Sequence, residues 1–316
     1  MQPMLHVLNG DATRLKLERS GVPGKFTVWA DALHEGPVPA GVELAELRAL
    51  RARYFARALG EPEARVLAVA TGWDEALGRY ADFEEVVFWF EHDLFDQLIL
   101  IRHLAWLSTI ERSTTRFSLI CIGSFPGVAT FTGLGQLAPE QLATLLPQRA
   151  AISEAQIALG QAAWKRFREP KPQPFAELLD ADTSALPFLA GAIRRHLEDY
   201  PSVSNGLSRS ERQILTAVAT GAERFGVMFA ACQRVEERPY MGDTTFRSIV
   251  LALANASQPL LATGPDGAFV ITTVGRNVLA GRTDHVTLNG IDRWMGGTHL
   301  TTDTLWRAEA LFGSLR

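Results

Sequence analysis

Cysteine is scarce in this 316-residue chain, which contains only Cys121 and Cys232. The two lie far apart, outside any Cys-x-x-Cys or Cys/His pattern, so the sequence excludes a disulfide framework and a zinc knuckle. No apolar run approaches the roughly 20 residues that a membrane-spanning helix needs. The first residues also lack the basic-then-apolar form of a secretion signal. We therefore expect a cytoplasmic protein with no membrane contact.

Neither sign of charge is in large excess. The net charge is −4 and the isoelectric point is near 6.0. The chain as a whole therefore has no attraction for phosphate backbones, and nucleic-acid binding would need a local basic patch. Hydrophobic residues make up 47% of the chain, which is globular rather than disordered composition, and the length allows two domains with ordinary cores.

Familiar catalytic signatures are missing as well. There is no Walker A sequence and no G-x-S-x-G. The run from Gly133 to Ala138 fits the letters G-x-G-x-x-A, but it does not open the first βαβ unit, so it is weak evidence for a dinucleotide site. Ser124 lies in a loop with Gly123 and Gly127 after an apolar run, where the backbone either approaches a ligand closely or simply turns.

The first half of the chain alternates short apolar runs with helical patterns. Strands are predicted near residues 4–8, 26–29, 86–90 and 117–122. This alternation favours βαβ units and a mostly parallel sheet. We therefore predict an α/β, Rossmann-like domain over residues 1–150.

The second half is predicted to be mainly helical. Residues 151–206 form a helical connector that contains a proline-rich linker, 169–174. Ser208 and Glu211 form a capping box before the first of three helical stretches, and Gly264 to Gly267 separates two short apolar runs as a hairpin turn. Three helices followed by a hairpin is the order of a winged helix, so we predict a winged-helix-like domain over residues 207–316.

The most informative stretch runs from Glu85 to Leu107. Its apolar run, Val86 to Phe90, is followed at once by polar residues and then by a helical pattern of leucines and isoleucines. This pattern is typical of a buried strand that feeds a helix. Ligands of open α/β sheets bind beyond the carboxyl ends of the strands. The junction between this strand and the following helix is therefore the candidate site.

Three predicted strands end in polar clusters that would meet at one edge of a parallel sheet. The clusters are Asn9, Gly10 and Asp11; Asp31, His34 and Glu35; and Glu91, His92, Asp93, Asp96 and Gln97. Carboxylates gathered there repel one another unless a cation, protons or donor hydroxyls compensate. The pattern therefore predicts a crevice for a small molecule or nucleotide.

Roles follow from residue type. Asp11, Asp31 and Asp93 are the candidate ligands of Mg²⁺ or Mn²⁺. Near neutral pH, histidine is the commonest general acid or base. The candidate catalytic residues are His34, His92, Glu35 and Glu91. The candidate ligand-binding residues are Asn9, Gly10, Asp11, Asp31, Asp96, Gln97 and Ser124.

A purely structural interpretation stays open beside this one. Asp11 and Asp93 would cap helices, Glu35 and Asp96 would be solvated, and His92 would be a satisfied polar residue. In that case the chain is an interaction scaffold without a site at the sheet edge.

The predicted winged-helix-like domain raises the possibility of DNA binding, and its charge argues against it. The stretch from Thr244 to Asn255 would be the recognition helix, yet Arg247 is its one basic residue. Phosphate contacts supply most of the affinity for DNA. Contact with a partner protein or homodimerisation is the favoured role.

Several motifs resemble those of a bacterial family known as domain of unknown function 1835, whose members usually carry a helical C-terminal domain. The similar pieces are 8–11 (LNGD), 29–38 (WADALHEGPV), 91–98 (EHDLFDQL), 207–215 (LSRSERQIL) and 292–300 (DRWMGGTHL). The likeness spans most of the chain. It implies membership and no particular activity.

Two functional hypotheses follow. The first is a nucleotide- or phosphoester-processing enzyme, a metal-dependent hydrolase or transferase acting on a phosphate-containing substrate. The second is a regulatory protein whose first domain senses a small ligand and whose winged-helix-like domain answers by binding DNA or a partner protein.

Overall fold

The computed structural model describes residues 2–111 and 114–312. The strands in these residues are β1 (Gln2–Leu8), β2 (Lys25–Val28), β3 (Gly36–Pro37), β4 (Phe83–Glu91), β5 (Arg116–Ile122), β6 (Ala150–Ala151), β7 (Leu261–Thr263), β8 (Phe269–Ile271), β9 (Arg293–Gly296) and β10 (Thr298–Leu300). The α-helices are α1 (Asp11–Glu18), α2 (Leu44–Leu59), α3 (Glu63–Gly78), α4 (Leu94–Leu107), α5 (Pro139–Ala143), α6 (Glu154–Phe167), α7 (Gln173–Ala176), α8 (Leu189–Leu197), α9 (Arg209–Ala219), α10 (Phe225–Val235), α11 (Asp243–Ala254), α12 (Thr273–Leu279), α13 (His285–Asn289) and α14 (Ala308–Phe312).

A five-stranded sheet organises the first half of the chain. Its strand order is β2-β1-β4-β5-β6, with the first four strands parallel and the short edge strand β6 antiparallel. The predicted α/β region with a mostly parallel sheet is confirmed. The central strand β4 is longer than the predicted 86–90 and is buried along nearly all of its length, as expected of a strand covered on both faces.

Helices cover both faces of this sheet. Val86, Phe88 and Phe90 point into the main hydrophobic core, where α4, α6 and α8 pack. Val87 and Trp89 point to the opposite side, against α1 and the segment that contains α5. The alternation along one strand therefore fixes a three-layer arrangement.

Helices α9, α10 and α11 and the antiparallel pair β7–β8 have a core of their own. Ile214, Met228, Val250, Leu260 and Ile271 are buried together there. The predicted order of three helices and a two-stranded hairpin is present. Helix α9 begins with the expected reciprocal bonds between Ser208 and Glu211.

The end of the described chain returns to the first half. Strand β9 pairs in parallel with β3 and antiparallel with β10, and Met295, Leu300 and Leu311 join the main core. Helix α7, which begins at the end of the proline-rich piece, also lies against this core, because Phe175 is buried there. Residues 293–312 thus pack with the α/β region rather than with the core of α9 to α11.

The order of the strands marks a switch point. From β1 the chain first adds β2 on one side and later adds β4 on the other. Open α/β sheets bind ligands at this reversal, beyond the carboxyl ends of the two strands. Here Asn9 follows the end of β1, and Glu91 is the last residue of β4. No helix in the described residues is long and apolar enough to cross a membrane.

Candidate functional site

Three carboxylates meet where β4 ends and α4 begins. One oxygen from each of Glu91, Asp93 and Asp96 lies within 4.8 Å of the other two. All three side chains are buried, and Asp96 has no exposed surface. Charged groups this deep require compensation by protons, donors or a cation.

Backbone amides hold the three carboxylates in place. Asp93 is the N-cap of α4 and accepts from the Asp96 N–H at 2.9 Å. The Oδ2 atom of Asp96 accepts from the Glu91 N–H at 2.6 Å. The Leu134 N–H donates to Glu91 Oε1 at 2.5 Å, and the Asn9 side chain lies close enough to Glu91 and Asp96 to lower the pKa of both carboxyls. The β4–α4 junction, the end of β1 and the loop after β5 therefore contribute residues to one site.

The electrostatics of this cluster are unfavourable for three negative charges. Burial raises the pKa values of Glu91 and Asp93 above their ordinary range. Burial, followed by repulsion from Glu91 and Asp93, raises the pKa of Asp96. The bonds from Asn9 and the backbone act in the opposite direction but do not cancel the desolvation. The cluster therefore favours protons or a bound cation.

The donor set suits a hard divalent cation. It consists of carboxylate oxygens alone, which Mg²⁺, Mn²⁺ and Ca²⁺ prefer, whereas zinc sites normally include histidine or cysteine. The Oδ1 atom of Asp96 is buried and has no hydrogen-bond partner among the described residues. A buried carboxylate oxygen without a donor is costly unless a ligand completes it.

A cleft of about 770 Å³ opens onto the cluster. Asn9, Glu91 and Asp93 form its floor, and Thr130 and Thr132 of the loop after β5 form one wall. The far wall comes from residues 233–242, the end of α10 and its connection to α11. This volume is typical of small-molecule sites.

The structure brings together only part of the predicted site. Asn9, Glu91, Asp93 and Asp96 meet, as the strand pattern indicates. Gln97 is buried behind them and donates to the Glu91 carbonyl at 2.6 Å. Its role in this structure is to hold the end of β4.

The predicted metal group of Asp11, Asp31 and Asp93 is not brought together. Asp11 is exposed in the first turn of α1 and pairs with Arg14 at 2.8 Å. Both carboxylate oxygens of Asp31 bind the guanidinium of Arg51 on α2. Among the described residues, the group with metal-binding spacing is the one at the β4–α4 joint.

The predicted acid–base residues also separate. His34 is buried edge-on to Phe95 and Tyr240, and in the part of the chain that the structure describes neither of its ring nitrogens has a hydrogen-bond partner. His92 is buried near Phe131 with Nδ1 unpartnered. Burial lowers the pKa of both, to about 3 for His34. Neither imidazole lines the cleft.

Three further predicted residues lie elsewhere. Glu35 accepts from the Thr245 hydroxyl at 2.8 Å in a second pocket, described below. Gly10 is the N-cap residue of α1, with no atom near the position of a Cβ. Ser124 is exposed in the loop after β5 and does not line the cleft.

Sequence patterns missed two walls of the cleft. Thr130, Thr132 and Gly133 follow β5 without a recognisable motif, and residues 233–242 come from the distant helical region. Gly133 is the first glycine of the G-x-G-x-x-A pattern, but its role in the structure is to leave room for a side chain and not to bind a nucleotide. At φ +144° its missing side chain makes room for the Glu91 carboxylate.

Gly133→Ala should disrupt the cluster. A Cβ at this position would overlap Glu91 Oε2, and the backbone conformation disfavours any side chain. We expect a loss of about 2 kcal/mol in the free energy of unfolding. Gly72→Ala in α3 is the control, because nothing lies near its Cβ position and the helix should gain about 0.5 kcal/mol. Urea unfolding measures both, and equal effects would contradict this role of Gly133.

No protein-family model matches the chain, and no curated protein matches it either.

Proposed function

We propose that the chain is a metal-dependent enzyme that processes a nucleotide or another phosphate ester in the cleft above Glu91, Asp93 and Asp96. The observation that carries the proposal is the set of three buried carboxylates, with one oxygen of Asp96 unpartnered, at the switch point of the sheet. A helix cap needs only Asp93. The other two buried carboxylates have no such explanation.

The proposed substrate follows from the charge of the cleft. Glu237 on the far wall adds a negative charge, whereas Glu236 is paired with Arg195 and Arg209, and Arg234 is the basic residue of the lining. An anionic ligand on its own would be repelled. A phosphate ester paired with a divalent cation satisfies both the carboxylates and the arginine.

Each group of this chain has a definable task. Glu91, Asp93 and Asp96 would hold the cation, which supplies Lewis acidity toward a phosphoryl oxygen and a water of lowered pKa. The Asn9 side chain favours the charged forms of Glu91 and Asp96, because it lowers the pKa of both. The Thr130 and Thr132 side chains are placed to contact a hydroxylated or phosphorylated substrate on the wall beside them.

Asp96→Asn separates this site from the predicted Asp11 group. By calorimetry, Mn²⁺ and Mg²⁺ should bind the native chain, and affinity should fall at least tenfold in Asp96→Asn because one ligand oxygen and one charge are lost. Asp11→Asn and Asp31→Asn are matched controls that should bind as the native chain does. Phosphate release from a nucleotide panel with Mn²⁺ should be lost with Asp96→Asn. Absence of cation binding to the native chain would refute the proposal, as would loss in the controls alone.

A second candidate is the regulatory protein, and one observation favours it. The far wall of the cleft belongs to residues 233–242, within the three-helix region that we propose to be winged-helix-like. A ligand in the cleft would contact both regions at once and so bias their arrangement. Such a protein would transmit binding to a DNA or protein partner.

The contacts of α11 argue against DNA binding by this region. The N-terminal residues of a recognition helix read base edges, but here Thr245 donates to Glu35 of the α/β region at 2.8 Å. Arg247 stacks on Phe225, with its guanidinium carbon 4.0 Å from the ring centroid. A mobility-shift assay at low salt tests DNA binding, since absence of even non-specific binding there would exclude it.

A further inference from the structure

A second pocket, of about 410 Å³, lies between helices α2 and α3 and the start of α11. Its walls are mainly apolar and include Phe55, Val66, Val69 and Trp73. Val69 is 48% exposed. A concave apolar surface with a few polar groups at one side is the usual form of a small-molecule site.

The buried arginine of this pocket has no donor left for a ligand. All five N–H groups of Arg51 are engaged: Nε and one Nη2 proton by Asp31, the other Nη2 proton by the Ala32 carbonyl at 3.0 Å, and Nη1 by the carbonyls of Glu35 at 3.1 Å and Pro37 at 3.3 Å. A guanidinium has five donors in total. An anionic ligand therefore finds no partner in Arg51.

The remaining charges leave one carboxylate unmatched. Glu61 pairs with Arg65 at 2.9 Å on the rim. Glu35 accepts one hydrogen bond, from Thr245 to Oε1, while its Oε2 has no hydrogen bond from the part of the chain that the structure describes. Burial raises the pKa of Glu35. With Glu35 ionised, the pocket carries one net negative charge beside an apolar wall.

We propose that this pocket binds a small molecule with an amine on an aromatic or aliphatic body. The ammonium group bonds to Glu35, and the body packs against Phe55, Val69 and Trp73. Charge complementarity selects the amine, because the positive groups of the pocket are already paired and its one unmatched group is a carboxylate. The site is distinct from the cleft above Glu91 and does not depend on the function proposed for that cleft.

The simplest alternative is that Glu35 only supports α11 through Thr245. That role uses Oε1 and needs no charge. Glu35→Gln tests the difference cleanly, because the glutamine oxygen still accepts from Thr245 while the negative charge is removed. The variant should fold, so its binding can be measured.

The experiment compares three probes with the same phenyl body, using calorimetry on the full chain. 2-Phenylethylamine should bind, 2-phenylethanol should bind roughly tenfold more weakly, and 3-phenylpropionate should not bind. In Glu35→Gln the affinity for the amine should fall roughly tenfold, while that for the alcohol stays the same. No binding of the amine, or equal binding of the acid, would overturn the proposal.

Two further variants locate the site. Val69→Trp fills the pocket and should abolish binding of the amine, whereas Val227→Trp, at a similarly exposed position on α10 (55%), should leave it intact. Asp96→Asn should also leave it intact. Loss of amine binding in Asp96→Asn but not in Glu35→Gln would place the amine in the other cleft and refute this assignment.

Discussion

Asp93→Asn should make the cation-free protein more stable at pH 8, by about 2 kcal/mol, while removing its affinity for divalent cations. Asparagine caps a helix as well as aspartate does, so the bond from the Asp96 N–H to the cap survives. What disappears is one of three buried negative charges within 4.8 Å. Functional sites often contain groups that lower the stability of the protein when no ligand is bound.

The pH dependence of this effect has a definite sign. Burial raises the folded-state pKa of Asp93 above its unfolded value, so the native protein loses stability as pH rises through the raised value. The advantage of the variant should therefore be small at pH 4 and large at pH 8. Urea unfolding with a chelator measures it, with Asp11→Asn as the exposed control.

Adding the divalent cation should make the native protein more stable than Asp93→Asn. A ligand that binds only the folded state adds about 2.7 kcal/mol at a concentration of one hundred times Kd. The native protein gains this and Asp93→Asn does not. The gain at pH 8 without cation follows from burial alone, so the response to Mn²⁺ decides: if Asp93 were merely a cap, Mn²⁺ would stabilise neither protein. That pattern would remove the proposed site.

The joint at Glu91 could be predicted because it depends on local patterns. A buried apolar strand, a run of acids and a helical pattern in immediate succession place Glu91, Asp93 and Asp96 within one turn of each other. Asn9 joins them because parallel neighbouring strands share an edge, and β1 does lie beside β4. These steps need no knowledge of distant packing.

The fate of the Asp31 cluster depends on long-range contacts. Strand β2 is at the edge of the sheet, where the following loop can turn away from the crevice, and Arg51 on α2 binds Asp31 there. Nothing local indicates that this arginine, rather than its neighbours along the helix, faces inward. The pairing of β3 with β9 could not be predicted either. It also joins distant parts of the chain, and a strand of two residues is too short to show a hydrophobic pattern.

Residue type alone makes His34 a candidate for acid–base chemistry. Its buried environment instead predicts an imidazole that stays neutral near pH 7. Its ring lies 5.1 Å from that of Tyr240 and 5.9 Å from that of Phe95, with both nitrogens buried and unpartnered. Burial is the main cause that lowers its pKa to about 3, and the charge of Asp199 opposes this only partly. At neutral pH the ring is uncharged.

This histidine should make the protein sensitive to acid. The unfolded chain binds a proton at His34 near pH 6.5, whereas the folded protein does not until about pH 3. Stability is therefore lost as pH falls below 6.5, by about 2 kcal/mol at pH 5 from this residue alone. His196, whose pKa is lowered to about 4, and His103, whose pKa is also lowered, add to the same trend.

His34→Leu should remove its share of this sensitivity. Leucine fills a similar apolar space and leaves no unpartnered nitrogen, so stability at pH 8 should change by less than about 1 kcal/mol. At pH 5 the variant should be more stable than the native protein by about 2 kcal/mol. Urea unfolding at the two pH values measures the difference, with His299→Leu as the control at a partly exposed ring. If His34 instead serves the cleft, His34→Leu will abolish phosphate release and leave the acid sensitivity unchanged, because a working base must exchange protons near neutral pH.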